Sequence, residues 1–338
     1  MSLLEESYRR VLRLLPASYR ARREEEMVSA YLESAGDVSD EVGPRPSWPE
    51  IASVAALSMR VRLGGAGAAP RFFAWGETVR LVALLGLFFQ TVISCVYFGG
   101  FLRTYGVVGA PIEEYGLPGS IIQTLAGGLW IAAFVTLVRG RVRAAKVLAL
   151  LALAQQSFLI VATFEDQYWW ELLLVRGSYA LLALVPVLAL TAGFHRDAPQ
   201  VRRTWWLAPR QLGAGILLSA TLGVAAVELN LRQPGSWAWL DESGLASLLI
   251  VIAGLTCVGV HWHSPALRTP SWPLALAILA VPVLCARLPG LNFGAVDSIT
   301  RTMTTVALGQ SVAVALIGLI LVVLGARALR AIPGVAEC

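Results

Sequence analysis

Eight apolar runs, joined by loops whose arginine content alternates, follow a charged segment covering residues 1–63. A helix crossing a hydrocarbon core ~30 Å thick needs about 20 residues at ~1.5 Å rise each. The runs at 79–102, 119–138, 146–164, 172–194, 211–231, 245–262, 272–286 and 302–326 have that character. The seventh is short and carries Pro273 and Pro282, and Pro186 predicts a kink in the fourth. Only 14% of residues are charged and 57% are hydrophobic, with mean hydropathy +0.67. A soluble domain carries roughly 25% charged residues, so most of this surface is expected to face lipid. The predicted class is all-α: a polytopic membrane helix bundle with a small helical domain at its N-terminus.

Loop charge sets the expected orientation. Arg139, Arg141, Arg143 and Lys146 occupy one short loop, Arg196, Arg202, Arg203 and Arg210 another, and Arg327 and Arg330 follow the last run. Against these, loop 103–118 holds only Arg103, and loop 164–171 holds no base beside Glu165, Asp166 and Glu171. Basic short loops stay in the cytoplasm, which predicts a multi-pass cell-membrane protein with both termini inside. Trp75, Trp130, Trp169, Trp170, Trp205, Trp206, Trp237, Trp239 and Trp272 mostly fall near run ends, as an interfacial aromatic belt would. The first forty residues hold no apolar stretch of signal-peptide type.

An offset of 128 residues lays runs one to four on runs five to eight and Glu113–Leu117 on Asp241–Leu245. This spacing fits a tandem repeat, 79–194 and 211–326. Evenly spaced runs also align with themselves, so both readings stand at this point.

Residues 1–63 read as three helices. Leu4, Tyr8, Val11, Leu12 and Leu15 share one face of the first, with Ser2 as N-cap and Pro16 as its end. The second, about 17–35, buries Met27, Val28, Tyr31 and Leu32, and Gly36 closes it. Ser47 and Glu50 have capping-box spacing and open a third, continuing to about Leu63. A core this small is marginal, so the domain is expected to lean on a partner, a second copy or the membrane. Gly64–Ala69 then reads as a flexible linker, and 64–78 as linker plus interfacial segment.

Tyr8-Arg9-Arg10, Leu12, Leu14-Leu15-Pro16, Tyr19-Arg20, Arg23, Glu26-Met27 and Leu32 carry a family likeness, continued by Pro46, Glu50, Leu57, Arg60, Arg62 and Leu63. They resemble the HAAS module, an HTH-associated alpha-helical signalling domain of bacterial membrane proteins. The likeness covers about one fifth of the chain. It implies a cytoplasmic docking surface for a PadR-type winged-helix regulator, with Tyr8, Arg20, Arg23, Glu26 and Met27 as candidate contacts. The 36–45 loop, with Asp37, Asp40 and Glu41, has no counterpart in that pattern.

Other candidates come from the residues themselves. The run Arg20, Arg22, Arg23, Glu24, Glu25, Glu26 fits a partner face or a solvated helix surface. Ionisable groups inside spans are costly and therefore candidate ligand sites; Arg176 and Glu228 are the two, with Arg232 or Arg176 available to pair with Glu228. Gln155 and Gln156 lie mid-run, placed for interhelical hydrogen bonds or a polar transport path. His261 and His263 sit two apart on a helix and point to different sides, and Cys95, Cys257, Cys285 and Cys338 have no metal or disulfide spacing. No cofactor, no catalytic residue and no direct nucleic-acid contact is expected. The chain therefore reads as a non-enzymatic membrane sensor or anchor; a transporter or permease component is the alternative, and a homo-oligomer is compatible with either.

Overall fold

The computed structural model describes residues 3–35, 46–103, 117–162, 169–195, 209–232, 236–264, 268–294 and 296–332. The described residues are helical throughout, without a strand. The Glu113–Leu117 motif, the 36–45 loop, Ser2, Glu165 and Asp166 lie wholly or mainly outside them.

Three helices, α1 (Leu3–Leu12), α2 (Ala17–Ala35) and α3 (Trp48–Arg62), form the N-terminal unit. Its core gathers Tyr8, Leu12, Leu15, Tyr19, Val28, Val54 and Val61. The first helix stops three residues short of Leu15, whose N–H closes a turn on the Leu12 carbonyl at 3.0 Å. Tyr8 stacks on Tyr31 with ring centroids 4.0 Å apart and planes 10° from parallel. Ser58 Oγ donates to the Leu14 carbonyl at 2.6 Å, tying α3 to the turn after α1. At the start of α3 the Ser47 N–H donates to Glu50 Oε2 at 2.6 Å, as the capping spacing anticipates.

Gly64–Ala69, expected to be a flexible linker, forms a packed corner. Gly64 and Gly67 take left-handed φ of 81° and 79°, conformations that favour glycine. The Gly65 N–H donates to the Arg60 carbonyl at 2.8 Å, and Ala68 joins the core of the N-terminal unit. A Cβ on Gly76 would stand 2.0 Å from the Leu63 carbonyl oxygen. The end of α3 therefore lies directly against the helix that follows.

That helix, α4 (Pro70–Phe101), is the hub of the remaining bundle. Around it come α5 (Leu117–Val138), α6 (Val142–Ala162), α7 (Trp169–Gly193), α8 (Pro209–Arg232), α9 (Glu242–His263), α10 (Ser271–Arg287) and α11 (Ser298–Arg330), one helix for each apolar run. Among the described residues four are long and apolar enough to cross a membrane: α4, α9, Ser271–Gly290 and α11. The short seventh run thus gains length from a 3-10 turn, Leu288–Gly290, and becomes a second hub beside α4, α7, α9 and α11.

Lipid tails are as apolar as leucine, so helices in a bilayer associate through close packing and small residues rather than through a hydrophobic drive. Gly86 of α4 admits Pro186 of α7, Gly254 of α9 admits Ile317, and Gly325 of α11 admits Leu274. Ala83, Leu87, Val96, Leu190, Ile250, Leu276 and Leu321 fill the space between. Trp130, expected at an interface, is buried in this core at 4% exposure. Val312, Leu316 and Leu319 of α11 form an apolar stripe on the outside. Within α4–α7, α4 packs on α5 and α7; within α8–α11, helices α9, α10 and α11 pack on one another and α8 packs on α4.

Candidate functional site

Among the described residues, the charged groups of the bundle that form ion pairs and caps gather at its two ends. At the end remote from the N-terminal unit, Arg287 closes α10 with only 3% of its surface exposed. Its Nη1 donates to both Asp241 oxygens at 2.9 Å and to Ser243 Oγ at 2.8 Å, and its Nη2 donates to the Ala238 carbonyl at 2.6 Å. Asp241 is the N-cap of α9 and accepts from the Gly244 N–H at 2.6 Å. One carboxylate thus holds a helix terminus and a buried guanidinium together.

Two tyrosines extend the cluster to other helices. Tyr179 of α7 shares a 3.4 Å hydrogen bond with Ser243, and the Tyr97 hydroxyl of α4 accepts the Glu242 N–H at 3.2 Å. Four helices, α4, α7, α9 and α10, are therefore tied at one level. One turn deeper on each lie Ile93, Leu182, Ala246 and Val283, which line a cavity with Gly86 and the buried Gln90. It has room for about 10 Å³, the space of one water.

At the same end Arg103 Nε donates to Glu228 Oε1 at 2.6 Å, joining the end of α4 to α8. The two helices touch closely below it. A Cβ on Gly99 would come 1.9 Å from the Ala220 carbonyl oxygen, and one on Gly223 would come 1.9 Å from that of Val96.

The end beside the N-terminal unit is built differently. Lys146 of α6 donates from Nζ to the Thr191 and Phe194 carbonyls at 3.1 and 2.8 Å, capping the C-terminus of α7. Ser271 Oγ of α10 donates to Glu77 Oε2 at 2.8 Å, joining it to α4.

The expected site residues are scattered over these features. Glu228 pairs with Arg103, a residue 125 positions away, rather than with Arg232 on its own helix. Arg176 lies in α7, with its side chain outside the described residues. Gln155 and Gln156 of α6 are half-buried, and Gln156 Oε1 has no hydrogen-bond partner among the described residues. Tyr8 is buried in the N-terminal core, and Met27, half-buried, packs against it. Arg23 and Glu26 are exposed on α2 and stand 4.0 Å apart; Arg20 is half-buried. Glu25 belongs to α1 as much as to solvent: Arg9 Nη1 and Nη2 donate to its two oxygens at 2.9 Å each. That contact pulls the Glu25 carboxyl below its ordinary range, first by hydrogen bonding and then by charge.

Arg287, Ser243, Tyr97, Tyr179 and Gln90 escaped the sequence reading, as did Gln310 of α11, buried at 5% exposure with neither amide atom partnered among the described residues. Arg287 lies one residue beyond its expected span, and that position was the available signal. No family model, no curated protein and no solved structure matches this chain.

Proposed function

We propose that this chain is a non-enzymatic, multi-pass cell-membrane sensor or anchor with eight spans and both termini in the cytoplasm. Its HAAS-like N-terminal unit docks a cytoplasmic regulator of PadR type. The observation that carries this reading is the continuity of α4. It runs as one helix from Pro70, at the packed corner under α3, to Phe101 near the Tyr97–Glu242 and Arg103–Glu228 contacts. A shift of the remote cluster on such a rod moves the corner, and with it the three-helix unit. The basic groups of Arg139, Arg141, Arg143 and Lys146 lie at the corner's end of the bundle, and this supports the inward orientation.

With Tyr8 in the core, the docking face is the outer side of α2, where Arg22, Arg23, Glu26, Ser29 and Glu33 are all exposed. Detergent-solubilised full chain should capture a PadR-type regulator from the same genome, the partner that the family likeness implies, and the Arg23→Glu, Glu26→Arg double variant should capture much less. Absence of capture by the folded wild-type chain overturns the reading.

A further inference from the structure

α3 carries apolar residues on two sides. Val54, Ser58 and Val61 face the core of the N-terminal unit. On the other side Trp48 is 82% exposed and Met59 58%, with Ala52 and Ala56 exposed between them and Leu63 half-buried at the end. At 3.6 residues per turn, Trp48, Met59, Ala52, Leu63 and Ala56 fall within an arc of roughly 80°. Arg62 and Arg60 sit about 40° outside the arc, one on each side. A helix that is apolar on both faces is normally covered on both.

Three observations identify the cover. The end of α3 lies against α4 at Gly76, where a Cβ would meet the Leu63 carbonyl at 2.0 Å; this is only three residues before the apolar run that starts at 79. The first turns of α4 expose Phe73 at 43% and Trp75 at 38%, beside exposed Arg71. Aromatic side chains mixed with arginine, next to the start of a span, are what a lipid headgroup region selects. The charges that flank the stripe, half-buried Arg60 and exposed Arg62, are positive and complement anionic headgroups. Arg62 gives Nη2 to the Leu14 carbonyl at 3.1 Å, and a guanidinium has further N–H donors beyond that one.

We propose that the outer face of α3 is a membrane-surface site. Trp48, Ala52, Ala56 and Met59 lie in the headgroup boundary of the adjoining leaflet, and Arg60 and Arg62 engage anionic lipid phosphates. The N-terminal unit is then clamped between the bilayer and α4, with α2 turned to the aqueous phase. This assignment stands independently of any regulator, because it concerns a different face of the unit.

The test uses the full chain, with its native cysteines replaced, reconstituted in phosphatidylcholine vesicles with or without phosphatidylglycerol. Nitroxide labels are placed by Ala52→Cys, Ala56→Cys and, on α2, Ser29→Cys. In the anionic vesicles, labels at 52 and 56 should be several-fold less accessible to an aqueous nickel chelate than the label at 29, and more accessible to oxygen. Without phosphatidylglycerol that protection should weaken. Equal aqueous accessibility at all three positions overturns the proposal. So does protection accompanied by spin–spin broadening that disappears on dilution with unlabelled chain, which assigns the face to a second copy. The regulator capture experiment reads a separate surface, so either result can fail without the other.

Discussion

Arg287 Nη1 holds both carboxylate oxygens of Asp241 at 2.9 Å, joining the last turn of α10 to the first turn of α9. The arginine side chain is 4% exposed and the aspartate 21%. Removing one member of such a pair strands the other, at a cost of about 3–5 kcal/mol, whereas replacing both with apolar groups of similar size is often neutral. We therefore expect Arg287→Met and Asp241→Leu each to lower the thermal stability of the solubilised chain markedly. The double variant should recover most of the loss, less about 1 kcal/mol for the N-cap that Asp241 also provides to α9. A double-mutant cycle by fluorescence-monitored melting gives the coupling. Additive losses would mean that the pair contributes no more than two independent contacts.

Close approach of α4 to α8 makes a sharper discrimination possible between adjacent glycines. Gly99→Ala and Gly223→Ala each drive a methyl into a backbone carbonyl, with 1.9 Å available. Backbone cannot step aside as a side chain can, so overpacking of about 1–3 kcal/mol is expected at each. Gly100→Ala meets Val227 Cγ2 at 3.5 Å and the Gly223 carbonyl oxygen at 3.9 Å, both ordinary contacts, and should be neutral to within about 0.5 kcal/mol. Melting temperatures of the three variants check this order.

In the N-terminal unit, Arg9 draws Glu5, Glu24 and Glu25 together, with contacts of 3.1, 3.5 and 2.9 Å. Folding lowers the Glu25 carboxyl below its ordinary 4.5. The ionised form is therefore the one that folding favours. That contribution is complete above pH 4.5 and disappears as pH falls through the lower folded-state value. Amide exchange in α1 and α2 should accelerate over that acid window, and Glu25→Gln should flatten part of the dependence. The pair is exposed, so the effect is small and screened by salt. Identical pH profiles for wild type and variant would remove the Arg9–Glu25 bridge from the account.

The sequence made the helices legible because their signal is local. Each apolar run became a helix, and the capping pair Ser47 and Glu50 marked the start of α3. Pairing across the bundle was not legible, because it rests on contacts such as Arg103 with Glu228, whose separation of 125 residues leaves no periodic trace. Glu228 is recognisable in the sequence as an acid within an apolar run, but the nearby Arg232 is the partner that helical spacing offers. Tyr8 shows the reverse difficulty. Helical spacing sets it on the apolar face of α1 while the family likeness makes it a candidate contact, and the stack on Tyr31 places it in the core. The Gly64–Ala69 stretch has a linker's composition, yet its glycines serve a tight corner, which composition alone does not distinguish.

Lys146 combines two roles that a substitution can separate. It belongs to the basic loop that sets the expected orientation, and its ammonium caps α7 through the Thr191 and Phe194 carbonyls at 3.1 and 2.8 Å. A cation at a helix C-terminus contributes about 0.3–1 kcal/mol, rising toward about 2 kcal/mol when partly buried. Lys146→Met keeps most of the side-chain volume and removes the charge, so it should destabilise the solubilised chain by about 1 kcal/mol. Arg141 and Arg143 are exposed in the same connection, and Arg141→Gln or Arg143→Gln should leave the melting temperature unchanged. Orientation responds to the summed charge of the loop, so any one of the three changes should leave it intact, while the combined variant should weaken it. Accessibility of the loop in intact cells, read beside the melting temperatures, tests both halves. If Lys146→Met melts like wild type, the carbonyl cap contributes no stability, and the loop's role reduces to its charge.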